Sequence, residues 1–304
     1  MRFASFVHAG QQSYGVLVPG NGILNLLAAA KAAGLSLPPD FLGLLAAGSP
    51  ALGTVRSLLE QGHAFHDLAE VRLTAPIPRP GKNVFCVGRN YLDHVAEGYR
   101  ARGAETKLPE APQFFTKPPT AVIGPDEPFE LDETVSRKMD YEVELALIIG
   151  TAGRDIPAER AWDHIFGFTI LNDITARDLQ RRHEQWFKGK GLDRSCPMGP
   201  FVVTRDEIAD PGQLELSLAV NGEPRQRAKV AQMIFPIPDI IASLSAGLTL
   251  EPGDIIATGT PSGVGYAMDP PRYLVPGDEI VCEISDIGRL VTPVTAYRRR
   301  PIEA

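Results

Sequence analysis

Two glutamates separated by one residue, Glu142 and Glu144, lead into the apolar run Leu145-Ala146-Leu147-Ile148-Ile149. Such a run reads as a β-strand, along which side chains alternate between faces. Both carboxylates then point to one face, roughly 6–7 Å apart at about 3.3 Å rise per residue, and Tyr141, Val143 and Leu145 take the other. Paired carboxylates beside an apolar segment repel each other and lose hydration, and a cation between them removes both penalties. On the wet face of an edge strand the same pair would need no ion. Residues 145–149 are apolar on both faces, which points to a central strand instead. Asp173 follows a second apolar run, Phe166-Gly167-Phe168-Thr169-Ile170, and offers a third acid. Alone it would read as a turn residue, with Thr175 placed to cap the helix that follows. Oxygen ligands without His or Cys select magnesium, manganese or calcium.

A second constellation follows the strand-like Val84-Phe85-Cys86-Val87. On a short helix His94 and Glu97 stand at i and i+3 and can touch, and a histidine oriented by a carboxylate is a general base. The same spacing also suits a plain surface pair. The polar segment from Gly98 to Lys107 would let this helix act as a lid. Lys188 and Lys190 lie among glycines and are equal candidates to stabilise an enolate or oxyanion. In Ala257-Thr258-Gly259-Thr260-Pro261-Ser262-Gly263-Val264-Gly265, backbone NH groups and the Thr260 hydroxyl could hold a substrate carboxylate, or the loop could be a simple turn. No Walker A or GxGxxG pattern accompanies it.

The elements that must position these groups fall in two parts. In residues 1–75, two apolar runs flank Gly10-Gln11-Gln12-Ser13, which predicts a hairpin. Helices are expected over 24–30 and 55–60. Pro76, Pro78 and Pro80 mark a boundary. Residues 76–304 are richer in strands, at 84–87, 145–149, 216–220 and 280–284, with helices near His94, from Ala176 to about Phe187, and near 240–244. The fold class is α+β, a small N-terminal domain (1–75) on a larger β-rich one (76–304).

Composition narrows the function classes. At 44% hydrophobic and 22% charged, with net charge −7, the 304-residue chain reads as an ordinary globular protein with no nucleic-acid signature. The basic run Arg298-Arg299-Arg300 reads as a solvated tail. Cys86, Cys196 and Cys282 are widely spaced and odd in number, which fits reduced thiols in the cytoplasm. No apolar stretch is expected to span a bilayer, and residues 1–6 lack a signal-peptide layout.

In this order the segments resemble the fumarylacetoacetate hydrolase family. The resemblance is carried by Gly88-Arg89-Asn90-Tyr91 with His94 and Glu97, by Phe115-Thr116-Lys117 and by Asp140-Tyr141-Glu142-Val143-Glu144. Asn172-Asp173 with Thr175-Ala176-Arg177-Asp178, Lys190-Gly191 through Gly199-Pro200, and Asn221-Gly222-Glu223 continue it. Pro252-Gly253-Asp254, Thr258-Gly259-Thr260-Pro261 and Pro276-Gly277-Asp278 complete it. It implies a β-roll catalytic domain and a homodimer. It also implies a magnesium or manganese ion on Glu142, Glu144 and Asp173, and the lysine role for Lys190. Arg89, Tyr91, Lys117 and Thr260 become candidate substrate contacts. The substrate is expected to be a small keto or enol acid. The first reading is hydrolysis of a C–C bond in a 2,4-diketo acid of the acylpyruvate type. The alternative is isomerisation or decarboxylation of a 2-hydroxymuconate-type or oxaloacetate-like acid.

Overall fold

The computed structural model describes residues 1–62 and 65–298; Arg299 and Arg300 of the basic run lie outside them. The first 75 residues form β1 (Arg2–His8), β2 (Gln11–Val18), β3 (Gly22–Asn25), α1 (Leu26–Ala32), α2 (Phe41–Gln61), β4 (Phe65–Asp67) and β5 (Arg72–Thr74). The expected β1–β2 hairpin turns at Ala9 and Gly10, both at positive φ. The helix expected from Leu24 starts two residues later. Leu24 and Asn25 pair with β2, and the Asn25 side chain caps α1 by accepting from Ala28 N.

The helix expected over 55–60 is the end of the 21-residue α2, which is long and apolar enough to cross a bilayer. This corrects the expectation that no such stretch exists. Gly48, at φ 64°, breaks α2 ahead of Pro50, and Phe41, Leu44, Leu45, Val55 and Leu58 pack in one cluster with Phe3 and Tyr14. Those contacts bury one face of it against the N-terminal strands.

The chain continues with β6 (Val84–Gly88), α3 (Leu92–Arg100), β7 (Gln113–Lys117), β8 (Val122–Ile123), β9 (Phe129–Leu131), β10 (Met139–Asp140) and β11 (Val143–Ile149). Then come β12 (Ile165–Asn172), β13 (Thr175–Ala176), α4 (Arg177–Arg182), α5 (Phe187–Lys190), β14 (Cys196–Thr204), β15 (Glu215–Val220) and β16 (Glu223–Lys229). The last are α6 (Ile237–Ser245), β17 (Ile255–Ala257), β18 (Glu279–Ile284) and β19 (Gly288–Ala296). The single helix expected over 176–187 is two short ones, broken where Glu184 takes φ 53°.

The architecture is α+β on mixed sheets. One sheet runs β4-β3-β2-β1-β14-β12-β11-β17-β6-β7, and a second runs β16-β15-β18-β19-β9. The first is continuous across the proline-rich boundary, because β1 pairs antiparallel with β14 (Phe3 opposite Val202). Strand β11 lies in its interior and is buried along its length. Val143, Leu145, Leu147 and Ile149 pack with Leu216, Leu218 and Ile280, while Ala146 and Ile148 pack in the cluster that contains Leu44 and Val55. Period-two alternation thus divides the strand between two cores, and Glu142 and Glu144 share the parity of Ala146 and Ile148. The central-strand expectation holds.

Candidate active site

Antiparallel pairing of β11 with β12 sets Val143 opposite Asn172 and Glu144 opposite Leu171. Just beyond that register Asp173 N donates to Glu142 O at 2.8 Å, so Asp173 leaves the ladder beside Glu142. Glu142, Glu144 and Asp173 each offer an oxygen, all within 4.8 Å of one another. They are 4, 1 and 0% exposed.

Three buried bases surround them. Lys190 Nζ donates to Glu142 Oε2 (2.7 Å) and Asp173 Oδ2 (2.6 Å), while Lys188 is exposed. Arg177 reaches Asp140 Oδ2 with Nε (2.8 Å) and Glu142 Oε1 with Nη1 (2.7 Å). Lys117 Nζ donates to Asp173 Oδ1 (2.8 Å) and to the Lys190 carbonyl. Burial alone would raise the Glu142 pKa, but Lys190 and Arg177 outweigh it and hold the value at about 2. Burial pushes Glu144 well above the ordinary carboxylate range, and the negative charges of Asp173 and Glu142 add to the push.

This donor set fits a hard divalent cation. Fully ionised, four buried acids (Asp140, Glu142, Glu144, Asp173) face three buried bases (Lys117, Arg177, Lys190). A divalent ion reverses the sign of that balance and leaves room for one negative charge from a bound acid. It also removes the reason for Glu144 to hold a proton.

The dyad faces these acids from α3. His94 Nδ1 donates to Glu97 Oε1 at 2.8 Å, and Glu97 Oε2 accepts from Gly263 N at 2.8 Å. The glycine-rich loop thereby anchors the dyad. Gly259 N donates to Glu144 Oε2 (2.7 Å), and Gly265 N and Tyr266 N donate to Asp140 (2.8 and 3.1 Å). The Thr260 hydroxyl donates to Val143 O and accepts from Gln226. These donors serve the protein's own acceptors. Thr260 still lines the cavity.

Other expectations change as well. Lys117 is wholly buried, buttresses the Asp173 carboxylate and lies outside the cavity wall. Tyr91 is buried in the core with Val87 and lies outside the cavity wall. Thr175 does not cap α4; its hydroxyl donates to Asp173 O, and Ala176 takes the cap position.

The site opens into a cavity of about 300 Å³ whose wall includes Arg89, His94, Glu142, Glu144 and Lys190. Sequence reasoning did not single out Arg177, Trp186 and Tyr266, which also line it. Arg177 lies over the Tyr266 ring at 4.5 Å, and its buried Nη2 has no protein partner, which leaves a donor for a ligand. Its four-residue spacing from Asp173 and its place in the motif Thr175-Ala176-Arg177-Asp178 were the available signals.

Comparison with known proteins adds the following. The family described as fumarylacetoacetate (FAA) hydrolase C-terminal matches residues 83–295. Oxaloacetate tautomerase YisK of Bacillus subtilis is 44% identical over 300 residues, covering 95% of this chain and 98% of that one. Human mitochondrial oxaloacetate tautomerase FAHD2A is 40% identical over 281 residues, covering 90% and 84%. Among solved structures, maleylpyruvate hydrolase from Sphingobium sp. SYK-6, in complex with manganese(II) ion and pyruvate, superposes with a TM-score of 0.78. It shares 33% identity and covers 98% of this chain and all of that one.

Proposed function

The chain belongs to the fumarylacetoacetate hydrolase family, and from that premise we propose that it interconverts the enol and keto forms of a small 2-oxo acid of the oxaloacetate kind. The observation that carries this reading is its near end-to-end likeness to oxaloacetate tautomerases. That likeness favours the isomerase alternative over the C–C hydrolysis expected first. Tautomerisation needs neither an attacking water nor an exit for a second fragment, and a cavity of about 300 Å³ accommodates an acid of this size.

Glu142, Glu144 and Asp173 would hold the ion, magnesium or manganese, with calcium also compatible with oxygen ligands. When bound, the ion supplies Lewis acidity that draws electron density toward the 2-oxo oxygen. Arg177 Nη2 and Lys190 Nζ offer donors to the substrate's carboxylate end. His94 directs Nδ1 at Glu97, which leaves Nε2 as the ring nitrogen not engaged by the dyad. In the enol-to-keto direction the enol O–H loses its proton and its electron pair forms the carbonyl. The C2–C3 π pair takes up a proton at C3, and His94 Nε2 serves as the carrier for one of these transfers.

The test is to follow decay of the enol absorbance of oxaloacetate with added magnesium or manganese, with and without chelator. The expected result is metal-dependent acceleration with a single product of unchanged mass. Two acids formed from an acylpyruvate, with no effect on enol decay, would return the reading to hydrolysis.

The same reading includes a homodimer. Leu92, Phe114 and Phe187 are exposed on α3, on the sheet-edge strand β7 and on α5. Sedimentation equilibrium checks it. It also includes a cytoplasmic location, supported by three free, buried cysteines.

A further inference from the structure

Beyond the metal-facing end of the cavity, its wall carries more positive charge than the acids there can use. Arg177 and Lys190 are paired with buried carboxylates, but Arg89, Arg102 and Arg181 also line the cavity. None of these three has a carboxylate within ion-pair distance among the described residues. Glu184 is the acid that shares their wall. This excess stands in a chain whose net charge is −7.

Two of the three guanidiniums converge on one ring. Arg89 lies over Tyr99 at 5.8 Å and over Trp186 at 5.4 Å, and Arg102 lies over Tyr99 at 4.8 Å. Arg102 is further fixed by Nε donating to Gly98 O at 2.8 Å. Arg89 adopts φ 57°, a backbone region that costs energy for any residue with a side chain. Gly88 before it has no room for a Cβ, which would overlap the Trp186 ring. The end of β6 is thus built to hold one guanidinium between two aromatic faces, with its NH edges unspent on protein carboxylates.

We propose that Arg89 and Arg102, with Arg181, form a subsite for a second carboxylate of the substrate, selecting 2-oxo dicarboxylates over monocarboxylates of the same length. The inference rests on the tautomerase reading for the metal-facing end. Trp186 is a positioning residue that acts through Arg89.

The test compares malate with 2-hydroxybutanoate, which differ only in carboxylate against methyl at the far end. Calorimetry with manganese present is expected to show malate binding at least about tenfold tighter, the range of a charge-assisted hydrogen bond. Arg89→Met and, independently, the exposed Arg102→Met should each shrink that ratio about tenfold while 2-hydroxybutanoate affinity holds. Trp186→Leu should shrink it less. In parallel, deuterium exchange at C3 should slow for oxaloacetate but not for 2-oxobutanoate in the arginine variants. An unchanged malate preference in both variants, or an equal loss of affinity for both ligands, overturns the subsite. If wild-type protein exchanges neither substrate, the tautomerase reading fails, and the binding ratio still decides the role of the arginines.

Discussion

Glu142 and Glu144 share a strand face, yet their surroundings separate them. Glu142 neutralises Lys190 and Arg177, whereas Glu144 has no basic partner within ion-pair distance among the described residues, and one oxygen accepts from Gly259 N. Replacing Glu142 with Gln strips a shared counter-charge from two buried cations and is expected to cost about 3 kcal/mol. Glu144→Gln keeps the acceptor for Gly259 and should leave metal-free stability within about 1 kcal/mol of wild type. Both should abolish the stabilisation by manganese, which for wild type reaches about 2.7 kcal/mol at a hundredfold excess over Kd. Urea midpoints with and without manganese check all three values. Equal stability loss in the two variants would contradict the charge assignment. The ExE spacing showed that two carboxylates share a face. It could not show which one is neutralised, because the neutralising residues lie 33 or more positions further along the chain.

Between residue and fold, one loop does the work of assembly. The segment from Gly259 to Tyr266 ties down Glu144, Glu97 and Asp140 through backbone donors, linking β11, α3 and the Arg177 network. Gly263 takes φ 108°, and a Cβ there would overlap the Arg225 carbonyl. Gly263→Ala should therefore cost about 2 kcal/mol or more. It should also lower turnover by releasing Glu97, with manganese affinity changed much less; a melt, a kinetic assay and a metal titration separate these effects. A second tie joins β6 to β17, which are parallel neighbours and cannot share a tight turn. Lys82, just before β6, contacts Glu251 (2.8 Å) and Asp254 (2.9 Å) ahead of β17. Burial lowers the Lys82 pKa, but the hydrogen bonds to both acids outweigh it and leave it raised. Its contribution is complete below the ordinary lysine value and is lost as pH rises through the elevated one. Stability measured toward alkaline pH should fall less steeply in Lys82→Met than in wild type.

At the scale of the molecule, the first sheet runs from the N-terminal strands into the catalytic half. Removing residues 1–75 would strip β1 from β14 and expose that strand's edge, with Val202 and Val203 behind it. An unpaired apolar edge pairs with other chains. A fragment starting at residue 76 is expected to aggregate, or to melt well below the full chain, by light scattering and calorimetry. A stable monomeric fragment that binds manganese would show instead that the two parts fold as separate units. The long α2 belongs at this scale too, since Phe41, Leu44, Leu45, Val55 and Leu58 along it pack in one cluster with Phe3 of β1 and Tyr14 and Val16 of β2.

Local pattern was enough for the strands around the site, because alternation and apolar runs depend on near neighbours. It gave the carboxylate pair at the start of β11, the His94–Glu97 contact one helical turn apart and the glycine-rich loop after β17. Spacing left Lys188 and Lys190 equal; burial beside two acids distinguishes Lys190. Lys117 and Tyr91 stood in the expected motifs, but folding buried both outside the cavity wall. The partners of Glu97, Glu144 and Asp140 come from backbone NH groups more than a hundred residues away, and backbone donors leave no mark in side-chain identity. The electrostatics of the cavity follow the same rule. Charges act through space within several ångströms, so which guanidiniums are spent on acids and which stay available was decided only by the tertiary structure.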